Sequence, residues 1–228
     1  MTDIDVDLNG GFYTAREAAR LIGIGSTRIF LHWLEPTAKG AAPIILRQYQ
    51  KAGQEHEVGF LDLLEIRFVE HFHKTISLQS LRVAATNARK ELKVSHPFAT
   101  SNVKFQSDRK QIFLETAKQT GDRQLLNLMT NQAEIYEVIE QILAKDLEFD
   151  VSGFARLWRP RAGDCPNVVV SPVWAFGQPV IGARRVPTSA IFRTWRAEDG
   201  DYAAAAEWYE VTTDEAREAI EFELRLAH

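Results

Sequence analysis

TAREAARLIGIGSTRIFLHWL, residues 14–34, has the length and punctuation of a helix-turn-helix. Thr14 and Glu17 match the S/T-x-x-E capping box, in which the hydroxyl accepts from the third amide of the new helix and the glutamate reaches back to the cap. Ala18, Leu21 and Ile22 share one face of that helix. Gly23 is its expected stop, because glycine adopts a left-handed conformation without steric penalty. Ser26 is the expected N-cap of a second short helix, whose apolar Ile29, Phe30, Trp33 and Leu34 recur at helical spacing and should pack on the first. Thr27, Arg28 and His32, with Ser26 beside them, are left on an outer face that can enter a major groove. Two short helices around a glycine also occur in all-α domains that never meet nucleic acid.

The chain has 228 residues, 45% of them hydrophobic, enough for one large or two small cores. Its single cysteine, Cys165, excludes an internal disulfide and supplies no zinc ligand set, which fits a reducing compartment. With no charged-then-apolar leader and no bilayer-length apolar run, a cytoplasmic location and no membrane partner are expected. Charge divides unevenly: residues 11–100 hold 12 Lys and Arg against 8 Asp and Glu, and residues 196–228 hold 3 against 10. The first part suits phosphate contacts, and the last would be repelled by the same duplex. That asymmetry implies two jobs.

The acidic leader, with Asp3, Asp5 and Asp7, reads as mobile. After a loop at residues 35–43, residues 44–50 alternate around Leu46 and Tyr49 like a strand, residues 51–54 supply a turn, and residues 56–60 can return as a second strand. This hairpin falls where a winged helix-turn-helix carries its wing, with Arg47 and Lys51 near the tip, where phosphates would lie. Residues 61–74 are apolar too densely for a one-sided helix and predict a buried central helix. His71 and His73, two positions apart, point to different faces, so no metal site is expected. Residues 78–92 predict a further helix capped by Ser77, with Leu81, Ala84, Ala85, Ala88 and Leu92 inward and Arg82, Arg89, Lys90 and Lys93 outward. The order of helix-turn-helix, short wing and DLLEIRFVEHFHKTISLQSLRVA over residues 11–93 resembles the DNA-binding domain of MerR-like regulators. Those regulators carry arginine before the aromatic of the second helix, where this chain has His32 before Trp33.

Residues 103–105 and 111–114, separated by SDRK, read as a β-hairpin. Residues 125–147 read as a long helix with Leu125, Leu128, Met129, Gln132, Ile135, Ile139, Ile142 and Asp146 in one stripe, covered either within the chain or by a second copy in a homodimer. Residues 154–158 and 167–170 look like strands around the PRAGDCP loop. In SPVWAFGQPVIGARRVPTSAIFRTW, residues 171–195, Gly177, Pro179, Gly182 and Pro187 predict a compact turn, and Thr188 or Ser189 caps a helix bearing Ile191, Phe192 and Trp195. Helices follow at 201–209 and 213–226, the last capped by Thr212 or Thr213.

This last region, residues 166–224, resembles the C-terminal module of predicted antitoxins of VapB type. The match runs through Gly177, Pro179, Val180, Ile181, Gly182, Arg184 or Arg185, Val186 and Pro187, with Trp208 and Tyr209 as a later pair. The usual glycine-threonine before the arginine is here Gly182-Ala183. The resemblance implies an antitoxin that neutralises a PIN-like ribonuclease toxin and represses its own operon by binding operator DNA.

A nuclease of that kind holds metal with carboxylates and grips RNA with basic residues, so an inhibitor can insert arginine or cover the rim with acid. Arg156, Arg159 and Arg161, or Arg184 and Arg185, are the candidates for insertion; Glu215, Glu218, Glu221 and Glu223 are those for covering. Equally, these charges can lie in solvent or cap local carbonyls. A rival is a MerR-like transcriptional regulator with a small-molecule pocket, for which Trp158, Trp174, Phe176, Trp195 and Trp208 offer a lining. No nucleophile-base spacing or phosphate loop suggests an enzyme, and no cofactor is implied. The expected fold is mainly α with small β-hairpins: a winged helix-turn-helix domain at residues 1–96, a connecting or dimerising hairpin and helix at 97–150, and a three-helix module at 151–228.

Overall fold

The computed structural model describes residues 10–49, 57–100, 103–130 and 146–226, and over these the chain is mainly α with small antiparallel sheets. β1 (Phe12–Thr14) leads straight into α1 (Ala15–Ile22) through the expected capping box. The Glu17 amide donates to Thr14 Oγ1 at 3.2 Å, and the Thr14 amide donates to the Glu17 carboxylate at 2.7 Å. Gly23 ends the helix at φ 84° with its amide on the Ala19 carbonyl at 2.9 Å. Ser26 occupies the N-cap of α2 (Thr27–Leu31), although its side chain makes no capping bond. Phe30, Trp33 and Leu34 are buried as expected. Ile29 is not: α2 stops after five residues, so the helical periodicity that would have turned Ile29 inward is not sustained, and it is 44% exposed.

The expected wing hairpin is not formed by the described residues. β2 (Glu57–Gly59) pairs antiparallel with β1, Tyr13 opposite Val58, and residues 44–49 are not a strand. Side chains satisfy the backbone of this segment instead of a neighbouring strand. Arg82 donates to the Ala42 carbonyl at 2.8 Å, Arg89 to the Ile44 carbonyl, and His96 Nε2 to the Leu46 carbonyl at 2.8 Å, while the Gln48 amide donates to Asp62 at 2.9 Å. Arg82 and Arg89, expected in solvent, are therefore clamps. The tip of the expected hairpin, Lys51 included, lies outside the described residues, as do the leader through residue 9 and the stripe at Gln132, Ile135, Ile139 and Ile142.

α3 (Phe60–Phe72) is the central helix the composition predicts, buried on nearly every side, and α4 (Leu78–Leu92) begins at Ser77, which accepts from the Ser80 amide at 3.1 Å. The hairpin expected at residues 103–114 is instead part of one helix, α5 (Val103–Thr120). No glycine or proline interrupts that stretch, and Ile112, Phe113 and Ala117 face α4 and the core together, which a helix allows and a turn at SDRK would not. α6 (Arg123–Thr130) follows, and Leu147, expected at the end of a long helix, opens a strand.

β3 (Leu147–Phe149) pairs with β4 (Ala155–Trp158), and Trp158 exchanges both backbone bonds with Val170 at 2.8 Å. Leu147, Ala155, Trp158 and Val170 belong to the same apolar cluster as Phe30 and Phe68, so the first core runs well past residue 96. Arg67 fastens it: its guanidinium meets Asp146 at 3.1 Å and lies 5.5 Å from the Trp158 ring centre. β5 (Val168–Val169), β6 (Val180–Ile181) and β7 (Val186–Pro187) make a three-stranded sheet. α7 (Thr188–Ala197), α8 (Tyr202–Trp208) and α9 (Thr213–Leu226) pack on it around Ile191, Ala205, Ile220 and Phe222. A Thr212–Glu215 capping box starts α9.

The two halves touch closely. Leu21 of α1 packs against the C-terminal cluster, and Arg20 Nε donates to the Leu226 carbonyl at 2.7 Å. Gly177, at φ 88°, sits against Tyr13 and Gly11; a Cβ there would come within 2.6 Å of the Tyr13 hydroxyl and 3.0 Å of Gly11 Cα. Gly177→Ala is expected to cost about 2 kcal/mol or more, read from urea denaturation, because the left-handed backbone and the backbone contact are both violated.

Beneath residues 44–49 lies a buried acid cluster. Asp62 caps α3 through the Gly59 amide at 2.9 Å and meets His96 at 2.8 Å; Glu65 accepts from the Phe98 amide at 3.0 Å and leaves its second oxygen without a partner. Burial pushes the Glu65 carboxyl up from 4.5 to about 7, despite the opposing pull of His96 and Arg89. Burial pulls His96 down, but Asp62 and Glu65 outweigh it and the net shift is upward. Both groups hold a proton in the folded state that the unfolded chain releases at lower pH, so stability falls as pH rises through these ranges. Melting of Glu65→Gln between pH 5 and pH 8 is expected to show a decline smaller than wild type by about 2 kcal/mol.

Candidate functional site

Two surfaces carry the chemistry. On the first, Arg16 and Arg20 of α1, one helical turn apart, join Ser26, Thr27 and Arg28 around an open concavity of about 490 Å³ between the two short helices. Like charges at this spacing repel by a few tenths of a kcal/mol. Among the described residues neither Arg16 nor Arg28 has an ion-pair or hydrogen-bond partner, so the repulsion is uncompensated by those residues. An anion seated there would relieve it.

The helix-turn-helix residues read from sequence divide on this geometry. Ser26, Thr27 and Arg28 line the concavity; His32 is exposed at the end of α2 but does not line it. Arg47 is tied into the fold, donating to the Glu57 carbonyl at 3.1 Å and to Glu35 at 3.0 Å, and its side chain is only 12% exposed. Arg16 and Arg20 were missed. Their i, i+4 spacing on α1, on the side away from the buried Ala18, was the available signal.

The second surface is on the C-terminal module, and here most of the expected charges are engaged by their neighbours. Arg156 and Arg159 both hold Glu148, at 3.0 and 2.7 Å, and the bond from Arg159 above all keeps that carboxyl below its ordinary range. Arg161 and Arg225 meet Asp164 at 3.8 and 2.6 Å. Glu218 accepts from both the amide and the side chain of Asn167 at 2.9 Å, and Glu221 lies 3.9 Å from Arg225. Glu223 accepts from Thr188, and Glu215 closes the capping box of α9. Arg184 approaches Glu210 at 3.7 Å with more than half its side chain exposed, and Arg185 lies over Trp174, 4.7 Å from the ring centre.

The module also exposes large apolar side chains. Phe176 is 80% exposed, Trp208 70% and Val173 60%. Ala175, Phe176 and Arg185 all have positive φ, 46°, 56° and 58°, a conformation that costs a non-glycine residue roughly 1–2 kcal/mol. Such strain persists where the surroundings impose it and is common at binding sites.

A shared aromatic pocket is not formed. Trp158 is in the first core, Trp195 packs between Phe192 and Tyr202, Trp174 closes a small cluster with Leu157 and Val180, and Trp208 faces outward. A cleft of about 270 Å³ does open where α1 meets the module, lined by Phe12, Tyr13, Arg20, Phe176, Gln178 and Glu223 among others. Cys165 is buried, and burial pushes its thiol up, away from the reactive thiolate. Among the described residues no His, Cys, Asp and Glu cluster could hold a metal ion, and no helix is long and apolar enough to cross a membrane.

No family model matches the chain, and no curated protein matches it. Among solved structures it is similar to the crystal structure of Rv2018 from Mycobacterium tuberculosis, with a TM-score of 0.69 and 23% identity over 91% of this chain and 96% of that one. At that identity the likeness is one of overall fold.

Proposed function

We propose that this chain is a DNA-binding antitoxin, which reads its own operator through the α1–α2 concavity and neutralises a PIN-like ribonuclease through its C-terminal module. The observation that carries the reading is the convergence of Arg16, Arg20 and Arg28 with Ser26 and Thr27 on one open face of the helix-turn-helix. Phosphate is the anion that such a group of unneutralised guanidinium and hydroxyl donors accepts. The antitoxin half is supported by residues 174–187, which fold into a strained turn at Ala175, Phe176 and Gly177 and the β6–β7 hairpin and carry Phe176, the most exposed aromatic side chain of the described residues. One concavity reads few base pairs, so a homodimer is part of the proposal.

The ligand-sensor reading draws on the cleft at the junction of α1 and the module, where the buried Tyr13 hydroxyl has no hydrogen-bond partner. Its volume, about 270 Å³, falls below the roughly 300–1,000 Å³ of sites that enclose a drug-sized molecule, and the tryptophans are not gathered in it. The antitoxin reading is therefore preferred.

Band shifts on the DNA upstream of the gene, taken across a salt series, test the first half. Arg16→Ala and Arg28→Ala should each weaken binding and flatten the slope of log affinity against log salt by about 1. Unchanged slopes would remove this face from DNA recognition. Co-expression with the adjacent reading frame tests the second half: growth should be restored and the two products should co-purify, and failure on both counts, or the lack of such a nuclease gene, overturns it.

A further inference from the structure

Arg20 stands between two recesses. It lines the concavity it shares with Arg16 and Arg28, and it also lines the cleft at the junction of α1 and the C-terminal module, together with Leu21 and Leu226. Its Nε donates to the Leu226 carbonyl at 2.7 Å, while its two terminal amino groups have no hydrogen-bond partner among the described residues. Leu226 is the last residue of α9. The carbonyls of a helix's last turn accept from no amide of their own helix and carry the negative end of its dipole, so a guanidinium satisfies both needs at once.

That bond also sets a direction. Holding Nε fixes the plane of the guanidinium and leaves the fork of terminal amino groups pre-organised. Arg16, one turn away and without a partner among the described residues, would otherwise repel Arg20 from the concavity. Two carboxylates line the cleft as rival destinations, but Glu17 is held by Thr14 and Glu223 by Thr188, and neither forms an ion pair with Arg20. What keeps Leu226 in reach is the packing of the junction. Leu21 contacts the C-terminal cluster, and Gly177 lies against Tyr13 and Gly11 just ahead of α1. Neither Leu21 nor Gly177 lines the concavity.

We infer that Arg20 couples the seating of the C-terminal module to anion binding at the α1–α2 concavity: the end of α9 holds the guanidinium where a DNA phosphate is accepted, and a module lifted from α1 weakens the site. This rests on the DNA-binding half of the proposed function and is independent of what the module itself binds. By linkage, a bound duplex tightens the junction by the same factor that the seated module tightens DNA binding.

The test is a double-mutant cycle in the full chain, read by band shifts on the DNA upstream of the gene, with thermal melts establishing that each variant is folded at the assay temperature. Arg20→Ala should weaken binding ~10-fold and flatten the slope of log affinity against log salt by about 1. Arg20→Lys should weaken it ~5-fold and keep the slope, because the charge remains and the orientation does not. Leu21→Gln, neutral and compatible with a helix, should cost ~5-fold in the wild-type background and nothing further on top of Arg20→Ala. Gly177→Ala disturbs the junction from its other side and should behave in the same way. Losses from Leu21→Gln and Gly177→Ala that persist in full on Arg20→Ala overturn the coupling, as does wild-type affinity in both single variants. If Arg16→Ala and Arg28→Ala weaken binding and Arg20→Ala does not, the coupling falls while the DNA-binding reading stands. If none of the three changes binding, that reading falls and the coupling falls with it.

Discussion

Asp62 is completely buried at the start of α3, and three segments meet on its carboxylate: the Gly59 amide of β2, the Gln48 amide of the chain leaving the helix-turn-helix, and His96 beyond α4. Removing one partner of a buried pair leaves the other charge unsolvated and typically costs about 3–5 kcal/mol, so the pair constrains more than its own geometry. His96 also donates to the Leu46 carbonyl, and Arg89 grips the carbonyls of Ile44 and Ser95. Together these side chains fix the path of residues 42–48 on α3 and α4. That path in turn brings Ile44 and Ile45 into the core beside Trp33 and ends the helix-turn-helix in one place.

The second constraint is the junction between the halves. α1 is the element that both surfaces share: its Arg16 and Arg20 line the concavity, while Leu21 and the same Arg20 contact the C-terminal module. Gly11 and Gly177 let two backbones approach across Tyr13, a contact no side chain would permit. A cut at residue 150 would strip β3 from β4 and take Trp158 away from the core it helps to fill. The charge asymmetry along the chain therefore marks two surfaces of a connected structure, with the module packed against the helix that carries two of the three arginines.

Charge on this protein separates into two kinds by what surrounds it. Arg47, Arg67, Arg156 and Arg159 lie within hydrogen-bond distance of carboxylates and are withdrawn from other partners, and of these the more exposed pairs of Arg156 and Arg159 with Glu148 contribute little stability each, about 0–1 kcal/mol. Arg16 and Arg28 are unpaired among the described residues, and Arg185 rests on an aromatic face. Availability, more than residue type, distinguishes a contact residue from a structural one.

The sequence by itself determined the elements whose causes lie within a few residues: the Thr14–Glu17 box, the stop at Gly23, the Ser77 cap, the central helix and the Thr212–Glu215 start of α9 all stand where local hydrogen bonding and sterics put them. Ser26, Thr27 and Arg28 of the candidate site were legible for the same reason. Tertiary structure alone decided the rest. Residues 44–49 alternate like a strand, but their backbone is claimed by His96 and Arg89, 50 and 45 positions away from the carbonyls they hold. Residues 103–105 and 111–114 read as a hairpin around SDRK, yet α4 offers a surface that a helix covers better, and residue spacing does not record which neighbour will be present. Whether an arginine is free depends on carboxylates brought up by the fold, as with Arg67 and Asp146, 79 positions apart. The left-handed turn that displays Phe176 depends on Gly177 sitting beneath Tyr13, a contact between residues more than 160 positions apart that becomes visible only once the chain is folded.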